Sequence, residues 1–211
     1  MSCINIKITN VSNNEEYKKI SSKYIFKDKL LILYLIYMLI GTIAMSTALG
    51  LKMLTLTNYF KFSDSVATNY LLVVGLLADI FGIIALKYLT PKNDYVTLTI
   101  KFGIRFLGYV IAFVSNNIVI TLIAITWSIF ISTSYENICD AVYINRLENK
   151  YQLSFSNVCH ITRFLGEAIG VFLCGLMYEQ GLRYMFGLSA LFMIFQITLA
   201  SYRIYLRNKE N

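Results

Sequence analysis

Long stretches of this chain carry almost no charge and no alternation of apolar with polar residues. Leu30–Leu51 and Ile118–Ile131 are apolar nearly throughout. A soluble helix or a half-buried strand would return a polar residue every few positions. About 20 apolar residues cross the hydrocarbon of a bilayer as a helix, and polar punctuation cuts the chain into six segments of about that length. The pattern predicts helices over about 30–53, 65–89, 95–115, 118–138, 158–179 and 182–206. Thr90-Pro91-Lys92-Asn93-Asp94 closes the second, since proline among polar neighbours ends a helix. Ser115-Asn116-Asn117 and Glu179-Gln180-Gly181 read as tight turns, and 139–157, with Asp140, Arg146, Glu148 and Lys150, as a longer polar connection.

The expected fold class is all-α: a polytopic membrane protein with six transmembrane helices. A polar leader at 1–29 precedes a bundle over 30–206 and a short tail at 207–211. Composition agrees, with 57% hydrophobic and 15% charged residues, far from soluble averages. The lipid bilayer is therefore the first expected partner.

A net charge of +7 raises the question of nucleic acid, and its distribution answers it. No basic stripe is interleaved with aromatics, so no nucleic-acid partner is expected. Instead Lys7, Lys18, Lys19, Lys23, Lys27 and Lys29 sit in the leader, Lys87, Lys92 and Lys101 around the second connection, Arg146 and Lys150 in the fourth, and Arg203, Arg207 and Lys209 at the end. Only Lys52, Lys61 and Arg183 fall on the other side. Cytoplasmic loops carry the excess of Lys and Arg, so the bias predicts a multi-pass protein of the cell membrane with both termini cytoplasmic.

Cys3, Cys139, Cys159 and Cys174 show no CxxC spacing, and the chain holds one histidine, His160. Neither a zinc site nor a disulfide framework is indicated, and no metal or cofactor is expected. Nor is an enzyme: there is no HExxH, no site-like pair of aspartates and no nucleophile beside a base.

Ionisable residues at bilayer depth are costly and mark candidate functional positions. Asp79 in the second predicted helix and Arg105 in the third stand equally far along the chain from Lys92. In an antiparallel hairpin both would lie about 20 Å from the turn, so an ion pair is possible. Arg163 and Glu167 share one face of the fifth helix as an i, i+4 pair. Each of these four reads either as a packing device or as part of a substrate or proton pathway. Gly166, Gly170 and Cys174 recur every four residues along that helix; Thr42, Ser46 and Gly50 do so on the first, and Ala78 with Gly82 on the second. Such small-residue faces let helix backbones approach closely in lipid.

The run Gly166-Glu-Ala-Ile-Gly170-Val171-Phe-Leu-Cys174-Gly175 resembles the gxxxGPxxGG pattern in the fifth helix of the major facilitator superfamily, often associated with exporters that exchange protons for drugs. Gly166, Gly170 and Gly175 match; Val171 replaces the proline and Cys174 a glycine. Gly75-Leu-Leu77-Ala78-Asp79-Ile-Phe-Gly82 is similar to that family's GxLaDrxGrk signature between helices 2 and 3, with Ile80, Ile83 and Ile84 where basic residues belong. Under that match Asp79 is a gating residue at a helix end; under the hairpin reading it is buried within the helix. The resemblance covers about 60–211 and implies one six-helix half of a twelve-helix carrier. The lysine-bearing leader is similar to the family's central loop, which favours the C-terminal half.

What the resemblance implies is transport of a small-molecule solute by alternating access, with a second six-helix half or a homodimer as partner. The alternative is a non-transporting interaction or assembly subunit whose small-residue faces bind another membrane protein.

Overall fold

The computed structural model describes the backbone of residues 29–88, 94–144 and 149–210, with side chains over 31–84, 103–131 and 154–202 together with Lys29, Tyr205 and Leu206. The described chain is helical, without strands. In order the helices are α1 (Lys29–Leu49), α2 (Lys52–Asn58), α3 (Asp64–Tyr88), α4 (Asp94–Val114), α5 (Ile118–Ile144), α6 (Asn149–Tyr178) and α7 (Leu182–Glu210). The leader through residue 28 and the break at Pro91 lie outside the described residues.

Four stretches are long and apolar enough to cross a bilayer: Leu31–Asn58, Asp64–Ile84, Ser154–Tyr178 and Leu182–Tyr202. The apolar stretches described in α4 and α5, Gly103–Val114 and Ile118–Ile131, are shorter. Several apolar helices of this length make the chain a membrane protein, since in hydrocarbon every backbone polar group must be satisfied within a helix or a closed barrel.

Three boundaries differ from the sequence expectation. The first helix does not stop near residue 53: it bends at Gly50-Leu51 and continues as α2 to Asn58. Thr57 eases this polar end by donating to the Met53 carbonyl (3.1 Å). The connection expected over 139–157 shrinks, because α5 runs on to Ile144 and α6 starts at Asn149. The last helix, expected to end near residue 206, runs on to Glu210. In all three, helical hydrogen bonding outlasts the apolar run that a hydropathy reading follows.

α1 is the central element, with 67% of its apolar window buried, against 22% for α3 and 17% for α6. Its Tyr34, Leu35, Tyr37, Met38, Ala44 and Ala48 form much of the core, beside Tyr109 and Ala112 of α4 and Phe186, Ala190 and Met193 of α7. α1 packs chiefly on α6 and α7, α5 on α3 and α4, and α4 on α7. These interfaces pair off. Exchanging the first three spans (α1–α2, α3, α4) with the last three (α5, α6, α7) turns α1 on α6 into α5 on α3, and α1 on α7 into α5 on α4.

The turns at 59–63, 115–117 and 179–181 gather at one end. Asn58 donates to the Tyr178 hydroxyl (2.8 Å), the Leu182 amide donates to the Tyr59 hydroxyl (3.1 Å), and the Arg183 guanidinium reaches the Ser115 carbonyl (3.4 Å). Tyr59 and Tyr178 meet edge to face with ring centres 5.8 Å apart. The turns form as their sequences predict. Asn117 caps α5 by accepting from the Val119 amide (2.9 Å), and Gly181 adopts a φ of 123° that a side chain would resist.

Candidate functional site

The small-residue faces of the first and fifth predicted helices meet each other. A methyl group at Gly166 would lie 2.9 Å from Thr42 Cβ and 3.1 Å from the Leu39 carbonyl oxygen. One at Gly170 would lie 2.5 Å from Ser46 Cβ and 2.8 Å from the Ile43 carbonyl oxygen. Thr42 and Thr47 turn their hydroxyls back onto the Met38 and Ile43 carbonyls, so both threonine donors are satisfied within α1. Cys174 is fully buried and lies against the backbone at Gly50 and Leu51, where α1 bends. Val171 touches the same bend from α6. Gly175 stands apart, with nothing within 4 Å of where a side chain would start.

A second polar contact joins α1 to α7. Gln196 is 2% exposed, and its amide donates to the Tyr37 carbonyl (3.2 Å). The side chain fits only because Gly41 lies beneath it, where a Cβ would collide with the Gln196 amide nitrogen. Its other amide atom, Oε1, has no hydrogen-bond partner among the described residues. A buried carbonyl of this kind can accept from water or from a hydroxyl or ammonium group. Hydropathy and charge did not single out Gln196; a lone amide in an apolar helix was the available signal.

On the other side of the bundle, Tyr70 of α3 is hydrogen-bonded to Thr126 of α5, and Gly108 of α4 admits Ser128 of α5. Ala78 and Gly82 of α3 are buried, as a small packing face should be.

The four candidate charges divide. Arg105 is 5% exposed within α4, whereas Asp79 is exposed on α3. α3 packs mainly on α5, and α4 on α5 and α7, so the hairpin ion pair is not brought together. Equal depth fixes height but leaves rotation about each helix axis open. α3 also runs past Gly82 to Tyr88, so Asp79 is neither buried nor at a helix terminus: it stands on the flank of a continuous helix. Arg163 and Glu167 are both partly buried on α6. Asp79 follows buried Ala78, and Glu167 follows buried Gly166. Each therefore projects about 100° round its helix from the packed line, in the same rotational sense.

A cavity of about 320 Å³ opens at the end where the three turns gather, walled by Tyr59, Phe60, Tyr184 and Arg183 among others. None of the four candidate charges lines it. Among the described residues no group of His, Cys, Asp or Glu could hold a metal ion. Comparison with protein-family models, curated proteins and solved structures gives no match.

Proposed function

We propose that the chain is one six-helix half of a solute carrier that works by alternating access in a cell membrane, with both ends in the cytosol. The observation that carries this reading is where the charges stand. Asp79 is exposed, and Arg163 and Glu167 are partly exposed, at bilayer depth on the two least buried apolar helices. An ionised side chain at the bilayer centre costs roughly 2.5–3.5 kcal/mol even on insertion scales. Lipid is a poor neighbour for these flanks; a facing protein surface with a water-filled cleft between is a good one. The pairing of helix interfaces between the two three-helix units supports the same reading, since inverted repeats underlie carriers whose site lies at a repeat interface. So does the resemblance of the Gly166–Gly175 run to the major facilitator pattern. Glu167 is the candidate proton carrier, beside the cleft that the partner half would complete. The solute belongs to the class of small molecules, drugs or metabolites among them.

The assembly-subunit reading relied on small-residue faces as docking surfaces. Gly166 and Gly170 are already occupied by Thr42 and Ser46 of the same chain, which favours the carrier over that reading, although its charges, which would set the pairing, still stand on the flanks of α3 and α6. The test is solute flux in vesicles reconstituted with the purified protein under a proton gradient. Gradient-dependent flux that Glu167→Gln alters, with assembly intact, is the expected result. Absence of flux together with stoichiometric capture of a different membrane protein would favour the subunit instead.

A further inference from the structure

The carrier reading requires a second half, and the charged flanks of α3 and α6 say what it is. Asp79 lies fifteen residues from Asp64, the first residue of α3. Arg163 lies fifteen residues from Tyr178, the last residue of α6. Both helix ends belong to the clasped turn end of the bundle, so the carboxylate and the guanidinium stand at one depth, about 22 Å below it. They are on different helices that do not pack on one another to any extent, and those helices are the two with the least buried apolar windows.

The two flanks also face the same way. Under the exchange that relates the two three-helix units, α3 takes the place of α6. Each unit crosses three times, so the second is inverted relative to the first and the relating axis lies in the membrane plane. Residues displaced in the same rotational sense from the packed lines of α3 and α6 then look out on one broad side of the bundle. Asp79 and Glu167 are displaced in this way, one residue beyond Ala78 and Gly166, with Arg163 one turn before Glu167.

We propose that this side is the interface of a homodimer, in which Asp79 of each copy pairs with Arg163 of the other; the proposal rests on the carrier reading above. An identical chain inserts with an identical orientation, because the same Lys and Arg bias acts on both copies. A two-fold axis normal to the membrane then lays α3 of one copy along α6 of the other, twice over, as an isologous contact. Depth matching within a single sequence is what such an axis demands: anion and cation must be level for the pair to form. A partner of different sequence would place no such requirement on this chain. The guanidinium carries five N–H donors, so Arg163 can hold a neighbour in its own chain and a carboxylate of the second copy together. Apolar residues surround the pair on the same side, Leu76 and Ile83 on α3 and Phe164 on α6, all at least half exposed. They would supply the packing that drives association between helices in lipid.

The experiment co-expresses two copies with different affinity tags in intact membranes. One carries Leu76→Cys and the other Phe164→Cys, and a short bifunctional thiol reagent is added. A cross-linked product bearing both tags is expected, and none from either single variant alone. The opposite flanks, Leu77→Cys against Leu165→Cys, should give no product. Asp79→Arg in every copy should abolish the cross-link, as should Arg163→Asp, and the two changes together should restore it. Membrane-inserted copies that never cross-link would overturn the proposal. So would equal cross-linking at the opposite flanks, or capture of a different chain at positions 76 and 164. Cross-linking without solute flux would leave the dimer standing and remove the carrier; flux without cross-linking would do the reverse.

Discussion

Gly170 of α6 lies so close to Ser46 of α1 that a single added methyl group would stand 2.5 Å from the serine Cβ. It would also stand 2.8 Å from the Ile43 carbonyl oxygen and 3.1 Å from the Thr47 amide nitrogen. Two of those neighbours are backbone and cannot rotate away. Gly170→Ala should therefore destabilise the folded chain by about 1–3 kcal/mol, the usual cost of overpacking. Gly175→Ala, with open space around it, should stay within about 0.5 kcal/mol of the parent. Thermal unfolding of the two variants in detergent compares them directly; equal midpoints would remove the seam from the account.

Gln196 and Gly41 form a coupled pair across α7 and α1. Gly41→Ala alone forces the buried amide aside and should be clearly destabilising. Gln196→Leu removes a donor whose partner is a helix carbonyl, together with an acceptor that lacks a partner, so its effect on stability should be small. Gly41→Ala combined with Gln196→Ala should recover much of the loss. A double-mutant cycle on detergent-solubilised protein should return a coupling in the range of about 0.5–3 kcal/mol, and simple additivity would argue against the contact.

Tyr70 on α3 and Thr126 on α5 tie two helices of the less buried side. Thr126 also donates to the Leu122 carbonyl (2.7 Å), so the tyrosine hydroxyl is the natural donor of the pair. Hydrogen bonds between helices in lipid average about 0.6 kcal/mol and reach about 1.7. Tyr70→Phe and Thr126→Val should each lower stability by an amount in that range, and the double variant by little more than either alone.

Cys159 and Cys174 are buried, and neither forms a disulfide among the described residues. In native membranes both should resist a membrane-permeant maleimide and become reactive after denaturation in SDS. Rapid labelling of Cys174 in the native protein would mean that α6 does not lie against the bend of α1. Mass spectrometry of the digested chain reads each cysteine separately.

Much of this arrangement was legible in the residues, and what escaped did so for physical reasons. The starts of α3, α4, α5 and α7 fall within a residue of expectation, because Asp64, Asp94, Asn117 and Gly181 mark them with polar or turn-forming chemistry. The faces of Gly166 with Gly170 and of Thr42 with Ser46 were visible as four-residue repeats, but nothing in either repeat says that each is the other's partner. The extension of the first helix past residue 53 to Asn58 escaped because hydropathy falls after Leu51 while hydrogen bonding resumes, the Thr55 amide donating to the Leu51 carbonyl (2.9 Å). The Asp79–Arg105 hairpin pair failed because chain distance sets depth and not azimuth. Gln196 was overlooked because an amide carries no charge, although at 2% exposure it is buried as deeply as Arg105.

The bundle, the dimer and the carrier all need lipid around these helices, and membrane extraction tests that first. Membranes from cells expressing the chain are washed with alkaline carbonate, which strips peripheral proteins, and centrifuged. The chain should remain wholly in the pellet and enter solution only with detergent. Its recovery from the supernatant as a compact monomer, without detergent, would contradict the bundle, the dimer and the carrier together.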